Sequence, residues 1–399
     1  MNQISKEAVT TWLILVFLCF SELTFSQTTI SLDSAVAAAM RNHPAVKQSQ
    51  TEILQQQQLK KSSFSLPNPE LGIEIPAHEF SWSVSQNIDF PLVYINQSKL
   101  GKENIALAEQ GLALTQNDLR SEVNTAFLQL QFAQAQMAEF KIQDSLFFAL
   151  STIADRRAQA GEIGLLEQLN ANNAYQNKHS LWLQSQIDFA GAQKQLVLLV
   201  GLSVLNLQPD QALTKFSLPP VALNDSVPYA NPFAVYAAKN TLVALQNWKL
   251  EKSKAFPGFF GTYLNNGGDP AITPSRLDVG IAIPLWFWQY AGRMKAAKYQ
   301  WQSATYLLDK TTLAINAQWQ QGLSDFSKNA SSLNYYENSA LPQATKIIDA
   351  STRSYNADEI GYVELLQNLN TAFETKLGYL NVVRDFNQSI IQLHKLSGQ

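Results

Sequence analysis

The 399-residue chain is poor in the residues that most catalytic and metal sites need. It has one cysteine, Cys19, which permits no intramolecular disulfide and no thiolate metal site. Its four histidines, His43, His78, His179 and His394, are scattered without metal-ligand spacing. No phosphate-binding loop, G-x-S-x-G motif or nucleophile–base pair is visible. The sequence therefore predicts a protein that is not an enzyme and that binds no cofactor and no metal.

Charge is also scarce. Charged residues make up 15% of the chain and the formal net charge is −3. Nucleic-acid binding needs a basic patch or stripe, which this composition does not supply. We therefore expect no nucleic-acid partner.

Long hydrophobic runs are absent beyond the N-terminus. Residues 12–20 form an apolar run that follows Lys6 and precedes a small-residue cleavage site at 24–26. This pattern predicts a signal peptide over residues 1–26, and the bulky Leu18 before Cys19 argues against lipid attachment there. Since no other run reaches the length of a membrane-spanning helix, any further membrane crossing must be made by β-strands.

What the chain does contain is an internal repeat. The segment 162–167 (EIGLLE) returns about 197 residues later at 359–364 (EIGYVE). In each half, a helix start is followed by two short alternating segments, a very long helical stretch, the Glu-Ile-Gly turn and a returning helix. Duplication at this scale predicts two equivalent units in one assembly, at 27–205 and 230–399, joined by a Pro-rich linker at 206–229.

Each half carries the pattern of a β-hairpin. Residues 80–90 (FSWSVSQNIDF) alternate between apolar and polar side chains, which predicts a strand with one apolar face in a hairpin at about 69–91. A second hairpin is predicted at about 257–285, where the residues off the apolar face are Gly280 and Ala282. Such strands suit a bilayer crossing, and they also suit a half-buried hairpin on a soluble core. Four strands cannot close a barrel, so several copies would have to contribute: two would give eight strands and three would give twelve.

The remaining sequence is helical. Long helices are predicted at about 97–160 and 289–357, returning helices at about 165–200 and 363–396, and shorter ones at about 44–64 and 232–254. The first long helix would extend roughly 96 Å, and Pro342 predicts a kink in the second. A coiled-coil seam of alternating four- and three-residue spacing runs through the first: Leu119, Val123, Ala126, Leu130, Ala133, Met137 and Phe140.

This order of features resembles the TolC family of outer-membrane efflux proteins. The segments 283–298 (IPLWFWQYAGRMKAAK), 335–344 (YYENSALPQA) and 358–370 (DEIGYVELLQNLN) resemble its CzcC/CusC-type branch, which accompanies heavy-metal efflux pumps of the resistance-nodulation-division (RND) class. The resemblance implies a mainly α fold with membrane β-strands. Long antiparallel coiled-coil helices and two β-hairpins per chain would trimerise into a 12-stranded outer-membrane β-barrel, continued by a periplasmic α-helical tunnel.

The resemblance also implies a function and partners. The chain would be the outer-membrane exit duct of a tripartite RND pump in a Gram-negative bacterium, passively carrying heavy-metal cations out of the periplasm. Its partners would be two further copies in a homotrimer, a periplasmic adaptor (membrane fusion) protein, the inner-membrane RND pump and outer-membrane lipid.

Residue roles implied by the resemblance fall at the Glu-Ile-Gly turns. Adaptor docking is assigned to both copies of the motif: Glu162, Ile163, Gly164 and Leu165, with Glu359, Ile360, Gly361 and Tyr362. Glu364 matches the first position of an acidic periplasmic gate, and Gln367 stands where a second acid is often found.

Two other functions stay open. A channel of the same fold could export drugs or proteins, because the sequence holds no metal site that identifies the cargo. A soluble periplasmic coiled-coil scaffold would share the helix pattern, and it would remain in the soluble fraction after lysis without detergent.

Overall fold

A computed structural model describes residues 28–75, 80–202, 207–217, 231–267 and 274–398. The predicted signal peptide lies outside the described residues, as do most of the predicted linker and the hairpin turn that contains His78.

Helices account for most of the described chain. They are α1 (Leu32–Asn42), α2 (Pro44–Lys61), α3 (Pro91–Gln159), α4 (Leu165–Val200), α5 (Pro232–Ser253), α6 (Phe287–Tyr335), α7 (Leu341–Asn356) and α8 (Tyr362–Ser397). The strands are β1 (Thr28–Ile30), β2 (Glu70–Glu74), β3 (Ser81–Ile88), β4 (Leu207–Pro209), β5 (Gly258–Asn265) and β6 (Arg276–Ala282).

The repeated helix starts are built by a cap followed by proline. Asn231 accepts hydrogen bonds from the backbone N–H groups of Phe233 and Ala234, at 2.9 and 3.0 Å. In the first half the cap is His43, whose Nδ1 accepts from the Ala45 N–H at 3.3 Å. Proline follows each cap in the first helical turn, where its missing N–H costs nothing. Cap residues and proline thus fix where α2 and α5 begin.

The chain forms two compact units that do not coincide with the sequence repeats. One comprises the described residues of 1–41, 122–216 and 329–388, and the other those of 42–121, 217–328 and 389–399. Each unit therefore takes helices from both halves of the duplication.

The unit containing residues 42–121 holds a four-stranded antiparallel sheet. Its order is β2-β3-β5-β6, so the hairpins of the two repeats join through β3 and β5. In the other unit, β1 and β4 form a short parallel pair that the sequence analysis did not predict. The Gln193 side chain donates to the Leu207 carbonyl at 2.9 Å and holds β4 against α4.

The seam residues and Pro342 can be located on the helices. Leu119, Val123, Ala126, Leu130 and Ala133 are buried, and Met137 and Phe140 are half-buried. A π-helical segment, Tyr336–Ala340, lies between α6 and α7 and ends two residues before Pro342. Since proline cannot donate to the preceding turn, the widened turn accommodates the break in hydrogen bonding.

Candidate functional site

The four-stranded sheet has one apolar face. Cross-strand pairs in register align its side chains in rows, such as Leu71–Val84–Tyr263–Leu277 and Ile88–Phe259–Ile281. Many of these side chains are exposed in the chain, with Leu71 and Val279 both at 78%. A contiguous apolar surface of this kind marks a site that binds lipid or protein.

The opposite face is polar. It carries Glu70, Ser83, Ser85, Thr262 and Asp278 in neighbouring positions, and the Ser85 and Thr262 hydroxyls are 2.9 Å apart. Phe260 lies on this face, where its ring covers Gly280 so closely that a Cβ there would collide with it. The sequence predicts small off-face residues in β6, and the structure adds that an aromatic ring fills the space they leave.

The Glu-Ile-Gly motifs form two helical turns in the unit containing residues 122–216. We call residues 157–169 the first tip and residues 354–366 the second tip. Both turns use the same hydrogen bonds: the Glu162 N–H donates to the Arg157 carbonyl, and the Glu359 N–H donates to the Ser354 carbonyl. Gly161 and Asp358 occupy the equivalent left-handed position, with φ of 75° and 55°. The duplicated sequence thus makes the same turn twice.

A hydrophobic core lies beside the turns. It contains Phe147, Leu150, Ala154, Ala171, Tyr355, Tyr362, Leu365, Leu369 and Phe373. Tyr362 is 2% exposed, and burial raises the pKa of its hydroxyl. The predicted docking residue Tyr362 is therefore a core side chain, whereas its counterpart Leu165 is 69% exposed.

Arg157 joins the two tips by ion pairs. Its guanidinium contacts Glu162 of the first tip at 3.4 Å and donates a hydrogen bond to the Asp358 carboxylate of the second. That hydrogen bond raises the pKa of the Arg157 guanidinium, so it stays charged. Arg157 also lies 5.5 Å from the centre of the Tyr355 ring. Arg157, Glu162 and Asp358 thus form a set of ion pairs, which we call the clasp, next to the core residue Tyr355.

Both predicted gate residues are exposed on α8. Glu364 and Gln367 lie one turn apart on the side away from Leu365 and Leu369, and the stripe continues through exposed Thr371 and Glu374. Glu374 lies about 15 Å along the helix from Glu364 and interacts electrostatically with Lys178. The sequence analysis names only Glu364 and Gln367, although the spacing 364-367-371-374 places Glu374 on the same helical face.

The described histidines have structural contacts. His43 caps α2, and His179 Nδ1 lies 2.9 Å from Asp144 Oδ1. Burial lowers the pKa of His394. Within the described ranges, no group of three or more His, Cys, Asp or Glu side chains is arranged to hold a metal ion.

Hydropathy of the helices gives a separate finding. In the part of the chain that the structure describes, no helix combines the length and apolar character needed to span a membrane.

Solved structures similar to this chain include outer-membrane proteins. The CmeC outer-membrane channel of Campylobacter jejuni matches with a TM-score of 0.76 and 14% identity, over 92% of this chain and 85% of that one. CusC matches with a TM-score of 0.77 and 15% identity, over 92% of both chains. VceC of Vibrio cholerae matches with a TM-score of 0.74 and 14% identity, over 92% of this chain and 96% of that one. The chain therefore has the fold of a TolC-type outer-membrane channel.

Sequence comparison gives a curated relative. The chain is 23% identical over 353 residues to the cobalt-zinc-cadmium resistance protein CzcC of Cupriavidus metallidurans, covering 84% of this chain and 82% of the relative. No protein-family model matches the chain. The resemblance to TolC-family outer-membrane proteins, with CzcC and CusC among the similar proteins, is thus confirmed.

Proposed function

We propose that this chain is the outer-membrane exit duct of a tripartite RND efflux pump and that it passively carries heavy-metal cations out of the periplasm of a Gram-negative bacterium. Three copies would form a 12-stranded barrel in the outer membrane, continued by a helical tunnel in the periplasm. A periplasmic adaptor and an inner-membrane RND pump would complete the path.

The sheet carries the proposal. One face presents Leu71, Val279 and Ile281 to the surroundings, and the other presents serine, threonine and carboxylate side chains. This division suits lipid on one side and an aqueous lumen on the other. Among the described residues, the outer strands β2 and β6 each have one unpaired edge, and lipid does not tolerate open edges. Neighbouring copies that pair β6 with β2 would remove those edges, and the pairing would be antiparallel like the rest of the sheet.

Fractionation tests this proposal. Cells are lysed without detergent, and the protein is followed through outer-membrane separation, detergent extraction and mass determination. We expect it in the outer-membrane fraction as a detergent-soluble trimer. Recovery as a soluble monomer would instead support a periplasmic coiled-coil scaffold.

For docking, we propose that the adaptor contacts the exposed parts of both tips. In the first tip Leu165 and Leu166 are exposed, and Gly164 leaves an open approach to the backbone. Glu162, Glu359 and Gly361 are also exposed, while Ile163 and Ile360 pack partly against the core. The buried Tyr362 would support the second tip from inside.

A ring of Glu364 from three copies would attract cations and repel anions at the periplasmic entrance. We therefore expect Glu364→Gln to lower the cation-to-anion permeability ratio in single-channel recordings at 0.1 M salt. The loss should shrink at 1 M salt, where the Debye length falls from about 10 Å to about 3 Å. Glu167→Gln, at the equivalent and half-buried position of the first repeat, is the matched control and should change the ratio less. Unaltered selectivity in Glu364→Gln would rule out the gate role.

Cargo is tested in a deletion strain. If the duct serves metal efflux, the strain becomes sensitive to one or more of zinc, cobalt, cadmium, copper and silver, and the wild-type gene restores growth. Sensitivity to drugs with normal metal resistance would assign the duct to drug export instead.

A further inference from the structure

An apolar groove lies where β3 leads into α3. It encloses about 560 Å³, within the range of small-ligand sites, and its apolar walls are Phe64, Leu66, Ile88, Pro91, Tyr94 and Ile95. Ile88 also belongs to the apolar sheet face, in the row that pairs it with Phe259 and Ile281. The groove is therefore continuous with the exposed apolar face.

Three local contacts fix the shape of the groove. The Gln86 side chain donates to the Pro67 carbonyl at 2.7 Å, which anchors the segment carrying Phe64 and Leu66 to β3. The rings of Phe64 and Tyr94 lie 5.4 Å apart. Tyr94 is buried, and its hydroxyl accepts a hydrogen bond from the Asp89 N–H at 3.0 Å. This tyrosine thus contributes mainly ring surface to the groove wall.

The polar groups of the groove are at one end. Ser98 and Lys99 line it two turns down α3, about 12 Å from Pro91 along the helix axis. Lys60, at the end of α2, packs against α3 at Gly101, where an added Cβ would lie 3.1 Å from Lys60 Cγ. Lys61 and Lys102, their sequence neighbours, are exposed. An apolar groove that ends at Lys99, with Lys60 packed within one turn of it, fits an amphiphile with a single anionic end.

We propose that this groove binds one anionic phospholipid of the membrane leaflet that faces the helices. The acyl chain would lie between Phe64 and Ile95 and point toward the sheet, and the phosphate would lie at Lys99 and Lys60. The inference rests on the proposed membrane location of the sheet. A lipid fits better than a free anion because most of the groove wall is apolar. It also fits better than a second copy of the chain, because Lys99 complements a phosphate and the groove wall Ile88 belongs to β3, which is paired on both sides within the sheet.

The test uses the full-length protein purified from outer membranes into nanodiscs of phosphatidylcholine with a minor fraction of phosphatidylglycerol. Native mass spectrometry counts the retained lipid molecules of each kind. Wild type should retain phosphatidylglycerol, and Lys99→Gln should weaken its retention about fivefold, the effect expected for one lysine at an anionic membrane surface. Ile95→Trp should abolish retention because the indole fills the groove, and Leu66→Trp provides a second filling variant should the first not fold.

Lys298→Gln is the matched control. Lys298 is an exposed lysine of α6 in the same unit, outside the groove, and its loss should leave retention unchanged. An equal loss in Lys298→Gln would overturn the proposal in favour of diffuse attraction to basic side chains. Loss of the oligomer in both filling variants would overturn it in favour of a groove covered by another copy. A trimeric outer-membrane protein that retains no phosphatidylglycerol would refute the lipid site and leave the proposed duct intact, whereas a soluble monomer would refute the duct.

Discussion

The two tips share a motif and a turn, but their side chains have different surroundings. Leu165 of the first tip is 69% exposed, whereas Tyr362 at the same repeat position is 2% exposed. Leu166 and Leu169 of the first tip are also exposed. The duplication has thus preserved the backbone, while Tyr362 of the second tip joins the core and Leu165 of the first tip stays exposed.

A second difference lies one turn from the motif. Next to the first tip, the Asp155 carboxylate accepts hydrogen bonds from Gln168 at 2.8 Å and Asn172 at 3.1 Å. The equivalent positions of the second repeat, 197 residues later, are Thr352, Leu365 and Leu369, and both leucines are fully buried. Polar contacts therefore join the helices of the first tip where apolar packing joins those of the second. Removing the packing of the second tip and removing the Asp155 hydrogen bonds should therefore lower stability by different amounts.

The largest expected effect follows from removing the second tip's packing. Tyr362→Ala should leave a cavity among Tyr355, Leu365 and Leu369 and destabilise this region by about 3–5 kcal/mol. Leu165→Ala, at the equivalent exposed position, should change stability by less than about 0.5 kcal/mol. Hydrogen exchange of the amides in residues 362–373 measures both.

Tyr362→Phe is the control for volume. Among the described residues the buried Tyr362 hydroxyl has no hydrogen-bond partner, so its removal should be nearly neutral. If Tyr362→Ala and Leu165→Ala reduced stability equally little, the inference that Tyr362 supports the core and Leu165 does not would be wrong.

The sequence predicts most of the helices and strands but not these side-chain environments. Period-two alternation at 80–90 indicated β3 and its apolar face, and long proline-free stretches indicated α3 and α6, because these signals are local. The pairing of β1 with β4 was missed, since each strand has only three residues and their contact is distant in sequence. The order β2-β3-β5-β6 likewise depends on contacts between the repeats.

The difference in burial between the tips could not be predicted from the sequence either, because it also depends on contacts that are distant in sequence. The motif reads Glu-Ile-Gly twice, so Leu165 and Tyr362 both fitted a docking surface. What separates them is a core assembled from α3, α4, α7 and α8, which a repeat motif does not encode. Helical spacing alone does predict that Glu364 and Glu374 share one face of α8, and both are exposed.

A smaller effect is expected from exchanging the turn residues. Gly161 and Asp358 both adopt positive φ, which glycine tolerates and aspartate adopts at a cost. Gly161→Asp should destabilise the first tip by about 1 kcal/mol. Asp358→Gly relieves the same strain in the second tip, but it removes the exposed ion pair with Arg157, which is worth about 1 kcal/mol or less.

Thermal unfolding at low and high salt separates the two contributions. Asp358→Gly should be nearly neutral at low salt and stabilising at high salt, where the ion pair of the wild type is screened. Asp358→Asn keeps a residue that accepts positive φ and removes only the charge. A loss of stability in Asp358→Gly that persists at high salt would mean that the clasp does not act through charge.

The smallest expected effect is a pH dependence that is stronger at the first tip. Hydrogen bonds from Gln168 and Asn172 lower the pKa of Asp155. A lowered folded-state pKa stabilises the fold fully above the unfolded value of about 3.9, and this stabilisation is lost as the pH falls through the folded value. Amides at 165–172 should therefore lose hydrogen-exchange protection below about pH 4. Those at 365–369 should lose less protection, because leucines replace the amide side chains there and only the exposed Arg157–Asp358 ion pair can be lost. Asp155→Asn should make the first tip weaker and insensitive to pH, and an equal acid response in both tips would show that titration elsewhere controls them.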